Sequence, residues 1–343
     1  MRTASILILA VMISAHAFAD DETSPNAEAI AATAASAQPA RPVVGPAERK
    51  RRASTVGYID DSTIDDHVRV RFDAAFGNDV PDRTEFFYAQ CGCNFAGAPG
   101  PGNPGAGDLV TKLRFQQLNV DVQYAFKSRR LRDRIAVFGS IPVRFVQPQT
   151  FLAQNAPHTF TNSSGLSDIR LGAKAALIND EDSTLTAQFQ WYIPSGDAKK
   201  GLGTDHGAIE FALLDRQMMS DRAQLEVEVG DWHPTGESTT QPGNFPYSGD
   251  VMHYGFGPSF EIFKTDRVSV WPVVELVGWH VFGGQQQNAG TLQPAAGTNI
   301  VNLKLGVRTT VDARSSIYIG YGRALTSAVW YSDIIRFEYR REF

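Results

Sequence analysis

The chain has 343 residues, is 43% hydrophobic and 20% charged, and carries a formal net charge of -5. That balance is ordinary for a folded protein and gives no basis for a nucleic-acid partner. The length leaves room for one or two domains. No stretch past the N-terminus supplies the roughly 20 continuous apolar residues a membrane helix needs, which excludes a helical membrane protein.

Met1-Arg2 precedes an apolar run from Ile6 to Ile13 and the small-x-small triplet Ala17-Phe18-Ala19, the order of a secretory signal covering residues 1–19. Asp20 to His67 is mostly Ala, Pro, Ser, Thr and charge, with Tyr58 its one aromatic residue. Such a segment buries too little to offset chain entropy, and it reads as a disordered periplasmic tether, too short and polar to fill a pore. Arg49-Lys50-Arg51-Arg52 within it reads as a solvated charge run.

From Val68 the hydrophobic period becomes two. Val68, Val70, Phe72, Ala74 and Phe76 alternate with Arg69, Arg71, Asp73 and Ala75, and Leu118 to Phe126 repeats the pattern. Further alternating segments fall at about 134–147, 167–178, 183–194, 206–218, 221–231, 251–263, 267–281, 299–312, 315–326 and 331–343. Twelve segments near the roughly 9–11 residues of a tilted transmembrane strand predict an all-β fold, an antiparallel transmembrane β-barrel over residues 68–343. Pro142, Pro258 and Pro272 fall inside predicted strands, where each removes a ladder donor, so those strands are expected to be bulged or shortened.

The connections agree. Lys127–Asp133, Asn179–Asp182, Ser220-Asp221, Lys264–Arg267 and Asp312–Ser315 are short and polar and follow even-numbered strands. Longer connections follow odd-numbered ones, except Ser327–Trp330. Alternating lengths are those of a barrel with both ends in the periplasm. The last segment, Tyr331 to Phe343, places Ile335, Phe337, Tyr339 and Phe343 toward lipid, and its terminal Phe is similar to the signal read by the outer-membrane assembly machinery. Arg341 departs from that pattern, at an expected interfacial position.

The opposite parity predicts the lumen. Glu210, Glu226, Glu228, Glu261 and Glu275 form one wall. Arg69, Arg71, Arg144, Arg170, Lys174, Lys304, Arg308, Arg336 and Arg340 form the facing wall, with Asp73, Asp168, Glu338 and Glu342 among them. In a wet pore such walls would set up a transverse field that orients dipolar solutes. The same charges could instead pair across a filled interior, because small barrels are packed solid and large ones hold a channel. Sequence leaves the two open in equal measure.

Other candidates carry less. His206, His233 and His253, with Asp205 and Asp231 near the predicted outer rim, are a weak metal set without a ligand motif, and no cofactor is expected. Cys91 and Cys93 lie in the longest outer loop, Gly77–Arg114; an oxidising compartment favours a bridge, whereas their spacing gives a small strained ring. His280, on a strand near the outer rim, has no serine at matching depth and G-x-S-x-G is absent, so an enzyme is not expected.

Two stretches, Gly165–Leu177 (GLSDIRLGAKAAL) and Ile193–Gly207 (IPSGDAKKGLGTDHG), resemble the outer-membrane channel family named for the meta-pathway of phenol degradation. The matching positions are Gly165, Leu166, Asp168, Pro194, Ser195, Gly196, Asp197, Gly201, Gly203 and Thr204. The resemblance implies a barrel that takes up small, often aromatic, compounds. Pro194–Thr204 reads equally as a turn-rich loop over the pore mouth or as a plain surface turn. The expected function is therefore a passive outer-membrane channel for small solutes, partnered by lipid and the assembly machinery. The alternative is a closed barrel that anchors or adheres through its outer loops.

Overall fold

Alternation of apolar and polar residues folds the described part of this chain into a closed barrel of twelve antiparallel strands, with short accessory strands beyond it, seen in a computed structural model. The structure describes residues 53–79, 82–83, 87–88, 110–126, 134–151, 161–204, 206–236, 248–288 and 291–343. The chain divides into two units, 1–48 and 49–343, and the described residues belong to the second. The signal segment, the tether up to residue 52, Cys91, Cys93, Asp205 and the Lys127–Asp133 turn lie outside the described residues.

The barrel strands are β1 (His67–Asn78), β2 (Val110–Ala125), β3 (Ile135–Phe151), β4 (Ile169–Asn179), β5 (Ser183–Ile193), β6 (Ala208–Ser220), β7 (Ala223–Pro234), β8 (Val251–Phe260), β9 (Ser269–Val281), β10 (Asn299–Thr310), β11 (Ser315–Ala324) and β12 (Asp333–Glu342). Each pairs antiparallel with its sequence neighbours, and β12 pairs with β1 from His67↔Glu342 to Phe76↔Asp333. That pairing closes the sheet and leaves no edge, the condition for crossing a bilayer with strands. The twelve strands agree with the sequence reading, with β2 extended at its start to Val110.

Side chains alternate across the wall. Phe72, Phe211, Ile319, Ile335 and Phe337 are 40%, 58%, 58%, 49% and 46% exposed, an apolar outer belt. Their neighbours Arg71, Asp73, Glu210, Tyr318 and Arg336 are buried in the interior. On β9 the inward set is Trp271, Val273, Glu275, Val277 and Trp279, so apolar residues occupy both faces there.

Each of the three prolines is paired in one ladder, as Asn119↔Pro142, Leu225↔Pro258 and Pro272↔Val307, and lies at an interruption of the ladder on its other side. Pro142 lies between the β3–β4 pairing, which ends at Ser140↔Arg170, and the pairing of β3 with Ser163–Leu166, which begins at Val143↔Leu166. Pro258 falls where the β8–β9 ladder skips from Phe256↔Leu276 to Ser259↔Val273, and Pro272 lies just past that last pair. A missing N–H costs little where no partner is paired.

Candidate functional site

The tether expectation fails for residues 53–66. This segment has no helix or strand, yet Ser54–Gly57, Ile59 and Asp61–Ile64 are buried inside the barrel. It enters beside Gln224 and Glu226 near the short-turn end, rises to an apex at Tyr58–Asp60, and returns to begin β1 at His67. We call it the strap. A polar composition argues against self-folding, but it does not argue against a lumen whose side chains supply every bond the strap lacks.

Buried backbone polar groups need partners, and the lumen wall provides them in an ordered way. Glu226 Oε1 accepts from the N–H groups of Thr55 (2.8 Å) and Val56 (3.3 Å), and its Oε2 from Ser54 Oγ (2.7 Å). Glu275 accepts from Gly57 N (3.0 Å), Tyr58 N (2.8 Å), Ile59 N (2.9 Å) and the Tyr318 hydroxyl (2.9 Å). Glu228 accepts from Asp60 N (2.5 Å) and bonds His253 Nδ1 (2.5 Å). The carbonyls turn to the other wall: Arg308 donates to Thr55 O (3.0 Å) and Val56 O (2.6 Å), and Arg336 to Gly57 O. Lys174 donates to Asp61 O (2.5 Å), Thr186 to Ser62 O (2.6 Å) and Gln123 to Thr63 O (3.1 Å).

The strap's own side chains complete the fit. Arg340 pairs with both Asp61 and Asp65, the latter at 2.6 Å. Burial alone would raise these carboxyls, but Arg340 above all outweighs it, holding Asp65 at about 2 and Asp61 well below the usual range. Asp60 is also lowered, burial being outweighed chiefly by Lys174 and Arg69. Tyr58 lies between two cations, its ring centroid 3.8 Å from Lys304 Nζ and 4.1 Å from Arg336 Cζ. Val56 and Ile59 pack with Val273, Val277 and Trp279 of β9. Gly255 and Gly257 leave the space: a Cβ on either would stand 2.7 Å from Ile59 Cγ1 or Val56 Cγ1.

The five expected acidic residues are buried, as are six of the nine basic ones, while Arg69, Arg144 and Arg170 are half-buried. Glu261, past the end of β8, lies 3.7 Å from Lys264 and edges a cavity at the short-turn end. Arg69 pairs with Asp121 (3.0 Å), Arg144 donates to Gln117 (2.9 Å), Arg170 to Ser140 (3.2 Å) and Lys304 to Tyr331 (2.7 Å). The expected transverse field across an empty pore is replaced, because the strap lies between the walls and engages both. Cavities remain among the described residues, including one of about 270 Å³ above the apex, lined by Tyr58 and Asp60 among others, and one of about 260 Å³ at the short-turn end beside Ala53–Thr55.

The motif segments meet each other. Asp168 accepts from Gly196 N (3.0 Å), Thr204 N (2.8 Å) and Thr204 Oγ1 (3.0 Å), while Ser195 Oγ donates to Ser167 O (2.9 Å). Gly201 has φ +72°, and Gly203 approaches Gly196 so closely that a Cβ would stand 2.5 Å from the Gly196 carbonyl. Pro194 and Asp197 lie on the same loop, whose Leu202 is buried against Val110, Leu113 and Val146 at the barrel's long-loop end. The loop is therefore clamped at Asp168 and buried from Gly201 to Thr204, while Pro194, Ser195 and Asp197 are exposed.

The three histidines do not converge. His206 bonds Thr204 O (3.0 Å), His233 is half-exposed and bonds Asp250 (2.5 Å), and His253 sits between Glu228 and Glu210, the latter at 3.5 Å. Among the described residues no His, Cys, Asp and Glu group could hold a metal ion. His280 bonds Asn299 (2.6 Å). Sequence reasoning missed Ser54–Asp66, Gly255 and Gly257; the signal was there in the inward apolar residues of β9 and the inward glycines of β8.

No family model matches the chain, and no curated protein is similar to it. Solved structures are. The crystal structure of an outer-membrane channel from Pseudomonas putida F1 is 15% identical, with a TM-score of 0.52, covering 82% of this chain and 96% of that one. The β-domain of the Bordetella autotransporter BrkA is 11% identical (TM-score 0.47, 81% and 100% covered), and the KdgM porin 8% (0.40, 81% and 99%). At these identities the likeness to the Pseudomonas channel shows the fold, an outer-membrane-type barrel.

Proposed function

We propose that the protein is an outer-membrane channel for small solutes whose lumen is held shut by residues 53–66. The observation that carries this reading is a polar, charge-lined interior that keeps a cavity on each side of a strap without regular structure. A barrel built only as an anchor could fill its core with apolar side chains, whereas here the wall's charges engage a segment without secondary structure of its own. Likeness in fold to a channel, and the resemblance of Gly165–Leu177 and Ile193–Gly207 to a channel family, support uptake, with aromatic compounds as the solute class.

The same reading sets the short-turn end, with Ala53 and Phe343, at the periplasmic face. Residues 20–52 form a periplasmic tether continuous with the strap, and β12 with Phe343 meets the assembly machinery. A second reading, a sealed anchor, draws on the many bonds that hold the strap. Conductance in planar bilayers separates them, comparing the mature chain with one lacking residues 20–64. Steady current only after deletion supports a strap-closed channel. Equal current in both refutes closure by the strap, and silence in both refutes the channel.

A further inference from the structure

We infer that the cavity above the strap apex is a binding site for small organic carboxylates, with Arg71 and Arg170 as the anion-holding residues. The inference deepens the channel reading by naming a solute class, but the site is defined by its own chemistry. It begins with an asymmetry in how the cavity's charges are satisfied.

The carboxylates there already have donors. Asp73 takes two bonds from Arg336 (2.6 and 2.9 Å). Glu210 accepts from Gln190 (2.6 Å) and Tyr192 (2.5 Å), and Glu228 and Asp168 are held as described above. Asp60 accepts from Gln188 (2.7 Å) and Gln190 (3.2 Å). Two of the cavity's cations are served less well. Arg71 is 8% exposed, its nearest carboxylate oxygen, on Asp73, is 3.6 Å from Nε, and that buried Nε has no hydrogen-bond partner among the described residues. Among the described residues Arg170 donates to a serine hydroxyl, at 3.2 Å, and to no carboxylate, with its guanidinium 6.0 Å from the Tyr192 ring centroid. The next carboxylate, Asp121, is taken by Arg69.

A buried guanidinium short of acceptors is most readily completed by an anion with two oxygens in a plane, which matches its fork of donors. Tyr192, Trp232 and Trp279, which also line the cavity, offer flat apolar surface to the body of such a molecule. A cavity of about 270 Å³ holds a one-ring carboxylate. A cation or a neutral amide would leave the arginine donors unmet and so bind less well.

The test is isothermal titration of benzoate into the full mature protein in detergent micelles, with benzamide and sodium chloride as controls. Benzoate is expected to bind saturably and benzamide at least about tenfold more weakly, the scale of a charge-assisted pair. Arg71→Gln and Arg170→Gln should each weaken benzoate by about tenfold or more, and Arg71→Lys should restore part of it. Heat-modifiable gel mobility reports folding; should Arg71→Gln not fold, Arg170→Gln and the benzamide comparison carry the test. No saturable benzoate binding, equal affinity for benzamide, suppression of all binding by equimolar chloride, or unchanged affinity in the folded glutamine variants would each overturn the assignment. Binding in micelles needs no conduction, so this result is independent of the bilayer experiment.

Discussion

Replacing Glu275 by Ala should release the strap while leaving the barrel closed. Its carboxylate collects the N–H groups of three successive strap residues, Gly57, Tyr58 and Ile59, at 2.8–3.0 Å, together with the Tyr318 hydroxyl. Removing it strands three buried backbone donors, at about 1–3 kcal/mol each, or roughly 3–9 kcal/mol in all. Water entering the vacated space offsets part of this, so the low end, about 3 kcal/mol, is the safer figure, and it shifts the docked-to-released ratio roughly 100-fold. The strap has no secondary structure of its own to hold it in place. Chymotrypsin cleavage at Tyr58, followed in micelles by the mass of the N-terminal fragment, should accelerate by about that factor while heat-modifiable mobility stays that of a folded barrel. A folded variant cut at the wild-type rate would refute the idea that the acidic wall exists to bind strap backbone.

Gly257→Val should act in the same direction by bulk alone, since even its Cβ would stand 2.7 Å from Val56 and 3.0 Å from Ile59; faster cleavage at Tyr58 with an intact barrel is the expected readout. Acid should also free the strap. Asp61 and Asp65 have pKa values lowered by docking, so their contribution is complete above the free-chain value near 3.9 and fades as pH falls toward about 2, and protection of Tyr58 from pepsin should be lost across that window rather than near neutrality. Asp168→Ala removes the acceptor of three donors on the clamped loop, and trypsin should then cut after the exposed Lys200 about tenfold faster or more. Phe211→Arg, on the outer belt at 58% exposure, should lower the stability of the lipid-inserted barrel by about 2–4 kcal/mol in urea titrations if it sits near the midplane.

The strands were legible in the sequence because one physical fact, the alternation of lipid and lumen, is written at every second residue from Val68 to Phe343. The ends of the strands were less legible, β2 starting at Val110 where the alternation was read from Leu118. The clamp between Asp168 and Thr204 was legible only as two separate motifs, because nothing in spacing says that a side chain from one will accept the backbone of the other. The strap was not legible in its own residues. Its residues carry no period, and the rule that a polar, small-residue segment stays disordered holds for a segment that must satisfy itself.

What decides its fate is the wall. An isolated Glu or Arg in a lumen is costly to desolvate, and pairing each with its opposite would consume the walls in salt bridges. Here direct pairs such as Arg336–Asp73 and Arg308–Glu338 are joined by pairing through the strap: its N–H groups run toward Glu226, Glu275 and Glu228, and its carbonyls toward Arg308, Arg336 and Lys174. The separation of acid from base around the barrel thus matches the two polar sides of one extended backbone. Where that correspondence ends, above Asp60, the acidic side stays satisfied and Arg71 and Arg170 do not gain carboxylate bonds. The same principle that seats the strap therefore marks the place where a solute's carboxylate completes the set.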